Sequence, residues 1–383
     1  MAGTLNTLTT EEKGPVREIS RRIEESGPIP FSEFMEVALY WHSGGYYTSE
    51  TATWGAEGDY ITSIDVSTAF STAIARQVLE MWEVMGAPAE FDLVEAGAGR
   101  GFLSKGVLSA LKEISHPLYE STRLRVVEKN PHLRKRQEQK VFYYEDLSGL
   151  AHIKNGVILS NELIDSFPVH RVVMRDGVLS EIYVGLEGGG FTEVEGPLST
   201  DKLSAYFEEV AIGFSEGQRA EVNLIAGEWI SEAAAVLDRG FVVTIDYGLP
   251  ARELFSPERR GGTLLCHYRH TLNDNPFVNI GAQDITSHVD FTSFVKSGEK
   301  RGLALTGFTT QKNFLLGLSI HEGFRTPGGE GGDYCEDINY NRSIARLIAP
   351  GGMGDTFKVL VQHKGLKRPS LKGFSFKEMS RCL

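Results

Sequence analysis

The sequence predicts an α/β fold with a mostly parallel sheet, a helical N-terminal region and an inserted antiparallel β subdomain. Three observations carry that expectation. From Phe91 onward, short apolar runs alternate with amphipathic segments of helix length, the rhythm of βαβ units. A glycine-rich turn, Gly97-Ala98-Gly99-Arg100-Gly101, follows the first apolar run and precedes a helix-like stretch. Between Val169 and Pro197 the pattern becomes apolar/polar alternation broken by Asp176-Gly177 and Gly188-Gly189-Gly190, residues suited to turning antiparallel strands.

Taken in order, the part up to about Ala87 reads as helical. Phe34, Met35, Ala38 and Leu39 share one helix face behind Ser32, a candidate cap. A stretch rich in Gly and aromatics, from Tyr40 to Ser63, interrupts it, and Ala69, Phe70, Ala73, Ile74, Gln77 and Val78 return to helical spacing. Strands are expected at 91–97, 124–129, 156–161 and 241–248. A helix with Leu103, Val107, Leu108 and Leu111 on one face joins the first two, and a segment opened by Pro131 as a first-turn proline joins the next pair. After Val222 an amphipathic helix runs to Arg239-Gly240, ahead of the fourth strand. Residues 249–290 read as Gly-rich, His-containing loops, and helix 291–301, a strand from Leu303, a helix and a strand from Thr356 to Gly365 complete the chain. The expected domains are a helical region at 1–87 folding over a ligand site, a sheet-bearing core at 88–168 and 220–383, and an inserted substrate cap at 169–219.

Composition narrows the function. A length of 383 residues, at roughly 100–200 per domain, is too long for a lone binding module. With 39 basic and 51 acidic residues the net charge is −12, which disfavours nucleic acid or an anionic membrane as the main partner and suits a basic protein or peptide. Cys266, Cys335 and Cys382 are an odd count without CxxC spacing, so neither a disulfide framework nor a thiolate zinc site is expected. No run approaches the roughly 18 apolar residues of a membrane span, and the first residues resemble neither a secretory nor a transit peptide. A soluble protein of a reducing compartment is expected, cytoplasmic, or of the mitochondrial matrix in a eukaryotic source. Oligomeric state is not legible.

Chemistry concentrates at the expected carboxyl ends of strands, where open α/β sheets bind ligands. The glycine turn lets backbone approach a ligand and leaves helix N–H groups available. A dinucleotide fingerprint would need its third glycine at position 102, where Phe102 stands; the observed Gly97, Gly99 and Gly101, with Glu95 two residues ahead, suit S-adenosylmethionine enzymes better than NAD enzymes. A tight βα turn without ligand is the bland alternative. Glu128, at the end of the next strand, can accept hydrogen bonds from both ribose hydroxyls of an adenosine. Asp146 is placed to bind an adenine amino group while Leu147 stacks on the ring. Asn161-Glu162-Leu163-Ile164-Asp165 ends the third strand; the Glu after Asn161, where DNA adenine methyltransferases carry Asn-Pro-Pro-Tyr, disfavours base methylation. Glu162 and Asp165 are three apart, so on one helical turn both carboxylates could reach a guanidinium. The alternative is Asp165 as a cap and Glu162 as a solvated end. Cys266, His267, His270, His288 and Asp290 lack metal-ligand spacing, and no metal is expected; Arg134-Lys135-Arg136 reads as a solvated helix face. A Walker A motif is absent from the sequence.

Further pieces fall in order along the chain: Gly27-Pro28-Ile29, Gly45-Tyr46-Tyr47, Gly58-Asp59-Tyr60 with Thr62-Ser63, the glycine turn, Val127-Glu128, Asn161-Glu162 with Asp165, Ile245-Asp246-Tyr247-Gly248, Gly262-Thr263-Leu264, Asp284-Ile285-Thr286, Thr309-Thr310-Gln311 and Phe357-Lys358-Val359. Together they resemble the MidA-like family of S-adenosylmethionine-dependent methyltransferases, whose mitochondrial members assist respiratory complex I assembly. The resemblance implies a class I (Rossmann-like) methyltransferase core using S-adenosyl-L-methionine, and N-methylation of protein arginine, here on a complex I-type subunit. It implies that Glu95, Gly97, Gly99, Gly101 and Glu128, with Thr62 and Ser63 of the segment over the ligand, hold the cofactor. Asn161, Glu162 and Asp165 would border the acceptor, with Asn161 also near the cofactor and Glu162 receiving the guanidinium proton. Two segments depart from the family pattern: Ile64-Asp65-Val66-Ser67 replaces Pro-Glu-Ile-Ser, and Lys129-Asn130-Pro131 replaces Ser-Pro after the ribose-binding Glu. Methylation of a small molecule or another peptide, at O or N, and a non-catalytic assembly factor that binds S-adenosylmethionine are the alternatives.

Overall fold

The computed structural model describes residues 14–49, 63–134, 141–329 and 332–383. The chain forms two compact units, one from 1–60, 166–225 and 255–287 and the other from 61–165, 226–254 and 288–383. Among the described residues, no helix is long and apolar enough to cross a membrane.

The second unit carries the expected sheet. Its strands lie in the order Ala304–Thr310, Phe357–Lys364, Gly240–Leu249, Gly156–Asn161, Phe91–Ala96, Thr122–Val127 and Val141–Tyr144. The last five are mutually parallel, whereas Phe357–Lys364 runs antiparallel to both its neighbours. Phe91–Ala96 is buried along its whole length, Asp92 and Glu95 included. From this strand the chain first builds outward to Val141–Tyr144, then returns to add Gly156–Asn161 on the other side. That reversal makes a topological switch point, and the crevice at the strand carboxyl ends lies there.

Helices cover the sheet through the faces predicted for them. Thr68–Val84 starts behind Ser67, whose hydroxyl accepts the Ala69 N–H, and buries Phe70, Ile74 and Val78. Phe102–Ile114 buries Leu103, Val107 and Leu111 in the same core, with Leu93, Val126, Val157 and Val243 from the sheet. The segment opened by Pro131 departs from expectation: 131–134 form turns, 135–140 lie outside the described residues, and Val141–Tyr144 is a strand. Its branched and aromatic residues pair with Leu124–Val127, a partnership local spacing does not reveal.

The first unit holds the antiparallel meander. His170–Arg175, Val178–Glu187 and Gly190–Gly196 are joined at Asp176-Gly177 and Gly188-Gly189, all four residues at positive φ as primed hairpin turns require. Arg219–Val222 pairs with His170–Arg175, and Ile29–Pro30 pairs with Val178–Glu187 at Tyr183 and Val184. Helix Phe31–Tyr40 packs Phe31, Phe34, Met35 and Leu39 with Val169, Val184, Cys266 and Ile285. Ser32 sits inside that helix rather than capping it, since the helix begins after Pro30. The region expected as loops contains a three-stranded antiparallel sheet, Leu265–Tyr268 between Thr271–Asn273 and Asp284–Thr286.

Candidate active site

At the strand ends of the second unit Glu128 is hydrogen-bonded to the glycine turn and Glu162 to Ser63 and Asn161, whereas Asp146 bonds within its own turn. Gly97, Gly99 and Gly101 have φ of 70°, 53° and 71°, so the turn occupies backbone space that side chains disfavour three times in five residues. A Cβ on Gly97 would lie 2.6 Å from Leu163 Cδ1, which ties this turn to the loop after Gly156–Asn161. Gly101 caps helix Phe102–Ile114 without any side-chain cap among the described residues. Glu95, buried beneath the turn, accepts the Ser104 N–H at 3.0 Å and so braces the helix start. Burial pushes its carboxyl up to about 7, and Glu128 adds to the effect.

Glu128 faces the same turn. Its Oε2 accepts the Gly99 N–H at 2.8 Å and its Oε1 the Asn130 N–H at 2.8 Å. Burial raises its pKa against these hydrogen bonds. A turn with glycine at three of its five positions, an acidic side chain at its edge and a helix start beside it fit a ligand that combines ribose hydroxyls with a carboxylate, as S-adenosyl-L-methionine does. Asp146 is exposed; its Oδ1 accepts from Ser148 Oγ at 2.6 Å and the Gly149 N–H at 3.1 Å, interactions that lower its pKa. Leu147 beside it is buried.

The acidic loop is the second half of the site. Glu162 has φ of 53°, a left-handed conformation that costs an ordinary residue about 1–2 kcal/mol. Its N–H donates to Ile245 O at 2.9 Å, and its Oε1 accepts the Ser63 N–H at 3.0 Å and the Asn161 side-chain amide at 3.2 Å. Ser63 in turn donates its hydroxyl to Gln311 Oε1 at 3.0 Å, and Gln311 donates to Leu347 O at 3.1 Å. Asn161 Oδ1 is buried and meets no donor among the described residues, the state of an acceptor waiting for a ligand N–H. Asp165 is buried in a short 3₁₀ turn, Ile164–Ser166, rather than on an α-helical turn with Glu162. Thr62 lies outside the described residues.

Sequence reasoning missed Asp246 as a site residue. It is completely buried in strand Gly240–Leu249, and its Oδ2 accepts the N–H groups of Leu163, Ile164 and Asp165. Burial, then the Asp165 carboxyl, push its pKa well above the usual carboxylate range. The available signal was an acid near the carboxyl end of an otherwise apolar strand. Gln311, wholly buried at a helix start, was missed in the same way. The Cys/His set is dispersed: Cys266 and His267 lie on a strand and His270 in a turn of the first unit, whereas Asp290 of the second unit caps helix Phe291–Glu299.

Comparisons with known proteins point the same way. The profile of a family described as S-adenosyl-L-methionine-dependent methyltransferases matches residues 73–309. The chain is 28% identical to the mitochondrial protein arginine methyltransferase NDUFAF7 homolog of Drosophila melanogaster, over 91% of this chain and 85% of that one. It is 26% identical to the mitochondrial protein arginine methyltransferase NDUFAF7 of Rattus norvegicus, over 92% and 85%. A crystal structure from Burkholderia thailandensis bound to S-adenosyl-homocysteine is 29% identical, covers 96% of each chain and superposes with a TM-score of 0.86.

Proposed function

Because this chain belongs to the S-adenosyl-L-methionine-dependent methyltransferase family, we propose that it methylates an arginine side chain in a basic protein segment. The names of its relatives support that acceptor, and the net charge of −12 suits a basic partner. The single observation that carries the proposal is Glu162, held at a strand carboxyl end by the Ser63 N–H and the Asn161 amide, with Asp165 on the same loop.

S-adenosyl-L-methionine supplies an electrophilic methyl group on a sulfonium. The chain's own work is alignment and proton management. Gly97, Gly99, Gly101 and Glu128 hold the cofactor, with Glu95 supporting the turn from beneath; Asp146 and Leu147 serve the adenine end, and Thr62 and Ser63 add cofactor contacts. A guanidinium has a pKa above about 12, so its nitrogen attacks only as its proton is taken. Glu162 orients the cation, draws positive charge away from the attacking nitrogen and receives that proton, with Asp165 as the second carboxylate. Alignment of nucleophile, carbon and sulfur contributes through freedom already lost on binding. The proposed acceptor is a subunit of the respiratory complex I type, as the family resemblance implies; the proposed compartment is the mitochondrial matrix, the named relatives being mitochondrial, or the cytoplasm of a bacterial source.

The test is transfer of labelled methyl from S-adenosyl-L-methionine into host-cell extract by wild type and Glu162→Gln, followed by separation of protein from small molecules. Methylarginine in a discrete protein band that disappears with the variant is expected. Label confined to small molecules would assign a metabolite acceptor, and binding of the cofactor without any transfer would overturn catalysis.

A further inference from the structure

The acidic loop is held by a side chain that cannot reach a substrate. Asp246 is 0% exposed. Its Oδ2 lies 3.3, 2.9 and 3.4 Å from the N atoms of Leu163, Ile164 and Asp165, and its Oδ1 accepts the Tyr247 N–H at 2.9 Å. Three successive amides converge on one oxygen, as in the nests that proteins build around acceptor groups, and here the acceptor belongs to the chain itself. A carboxylate in this place is not required for packing: Val242, Val243 and Ile245 of the same strand are buried apolar residues. Burying it is unfavourable unless donors surround it. The three donors to Oδ2 directly follow Glu162, whose backbone lies in the left-handed region.

We infer that Asp246 is a positioning residue of the methyl transfer: it anchors the backbone of Leu163 to Asp165, and through that anchor keeps Glu162 and Asp165 in place. The inference rests on the proposed role of Glu162 as proton acceptor. Since Asp246 has no access to substrate, its whole effect on the reaction passes through the loop.

The near-isosteric Asp246→Asn change in the full chain provides the test, because an amide turns one acceptor arm into a donor. Hydrogen exchange at Leu163, Ile164 and Asp165 should quicken by about tenfold or more, while Val157–Leu159 in the adjacent strand stay as protected as in wild type. The initial rate of label transfer into extract protein should fall about tenfold or more, with S-adenosyl-homocysteine affinity within about twofold of wild type. In a Glu162→Gln background the same change should cost far less, since both substitutions disable one device. Equal losses in the two backgrounds, or unchanged exchange in the loop, would overturn the inference. Should Asp246→Asn fail to fold, Asp246→Glu displaces the same carboxyl group by one methylene and is judged by the same exchange measurement. If wild type labels no protein, the arginine reading fails on its own, and loop exchange still decides whether Asp246 is the anchor.

Discussion

The Ser63 backbone N–H donates to Glu162 Oε1 at 3.0 Å, across 99 residues of sequence. Ser63 is itself secured by Gln311, so the orientation of the candidate proton acceptor is linked to the helix that begins at Gln311. Replacing Gln311 by Leu removes the acceptor of the Ser63 hydroxyl and the donor to Leu347 O. Such a buried loss should destabilise the fold by about 1–3 kcal/mol, read as a lower urea midpoint at constant slope. Methyl transfer should fall more than cofactor binding, because Glu162 loses its indirect support.

Glu128 uses both oxygens on backbone N–H groups, those of Gly99 in the glycine turn and of Asn130. Glu128→Gln keeps the shape and loses the charge. S-adenosyl-homocysteine should bind about tenfold more weakly by calorimetry, as expected for loss of a hydrogen bond to a charged group. Unaltered affinity would remove Glu128 from the ribose.

Gly97→Ala meets two obstacles, a φ of +70° and Leu163 Cδ1 at 2.6 Å from the new Cβ. Strain and displacement together should cost about 1–3 kcal/mol and lower the midpoint of thermal unfolding. Because Leu163 belongs to the acidic loop, the rate of methyl transfer should drop beyond what weaker cofactor binding explains.

The buried Glu95 carboxyl makes stability depend on pH. Its pKa rises from an ordinary 4.5 to about 7 in the folded chain, mainly through burial. Between those values the folded state binds more protons than the unfolded one, so its contribution is fully present below about 4.5 and is lost as pH rises through about 7. Glu95→Gln carries no such titration. The variant should therefore gain on wild type from pH 5 to pH 8, by up to about 3 kcal/mol, as measured by denaturant unfolding at each pH. A constant difference between the two across that range would show that Glu95 does not titrate there.

Much of the sheet was legible because its strands are largely buried and read as short, mostly apolar runs. The expected 156–161 strand is the observed Gly156–Asn161. The hairpins near Asp176-Gly177 and Gly188-Gly189 were equally legible, since positive φ at both turn positions restricts residue choice. The edge strand Val141–Tyr144 and the small sheet within 265–286 were not. Each is short, and each becomes a strand only by pairing with a partner that its own spacing does not specify.

The candidate site divides along the same physical line. By itself the sequence determined the glycine turn, the acid at the end of the next strand and the Asn161-Glu162 pair, because each is a local pattern tied to a strand end. Only the tertiary structure decided what holds them. Parallel pairing of Gly156–Asn161 with Gly240–Leu249 brings Asp246 to amides 81 to 83 residues earlier, and the Ser63–Gln311 contact closes a separation of 248. A buried carboxylate on an apolar strand carries no local mark of its partners; its meaning arises when the sheet forms and places three N–H groups around it.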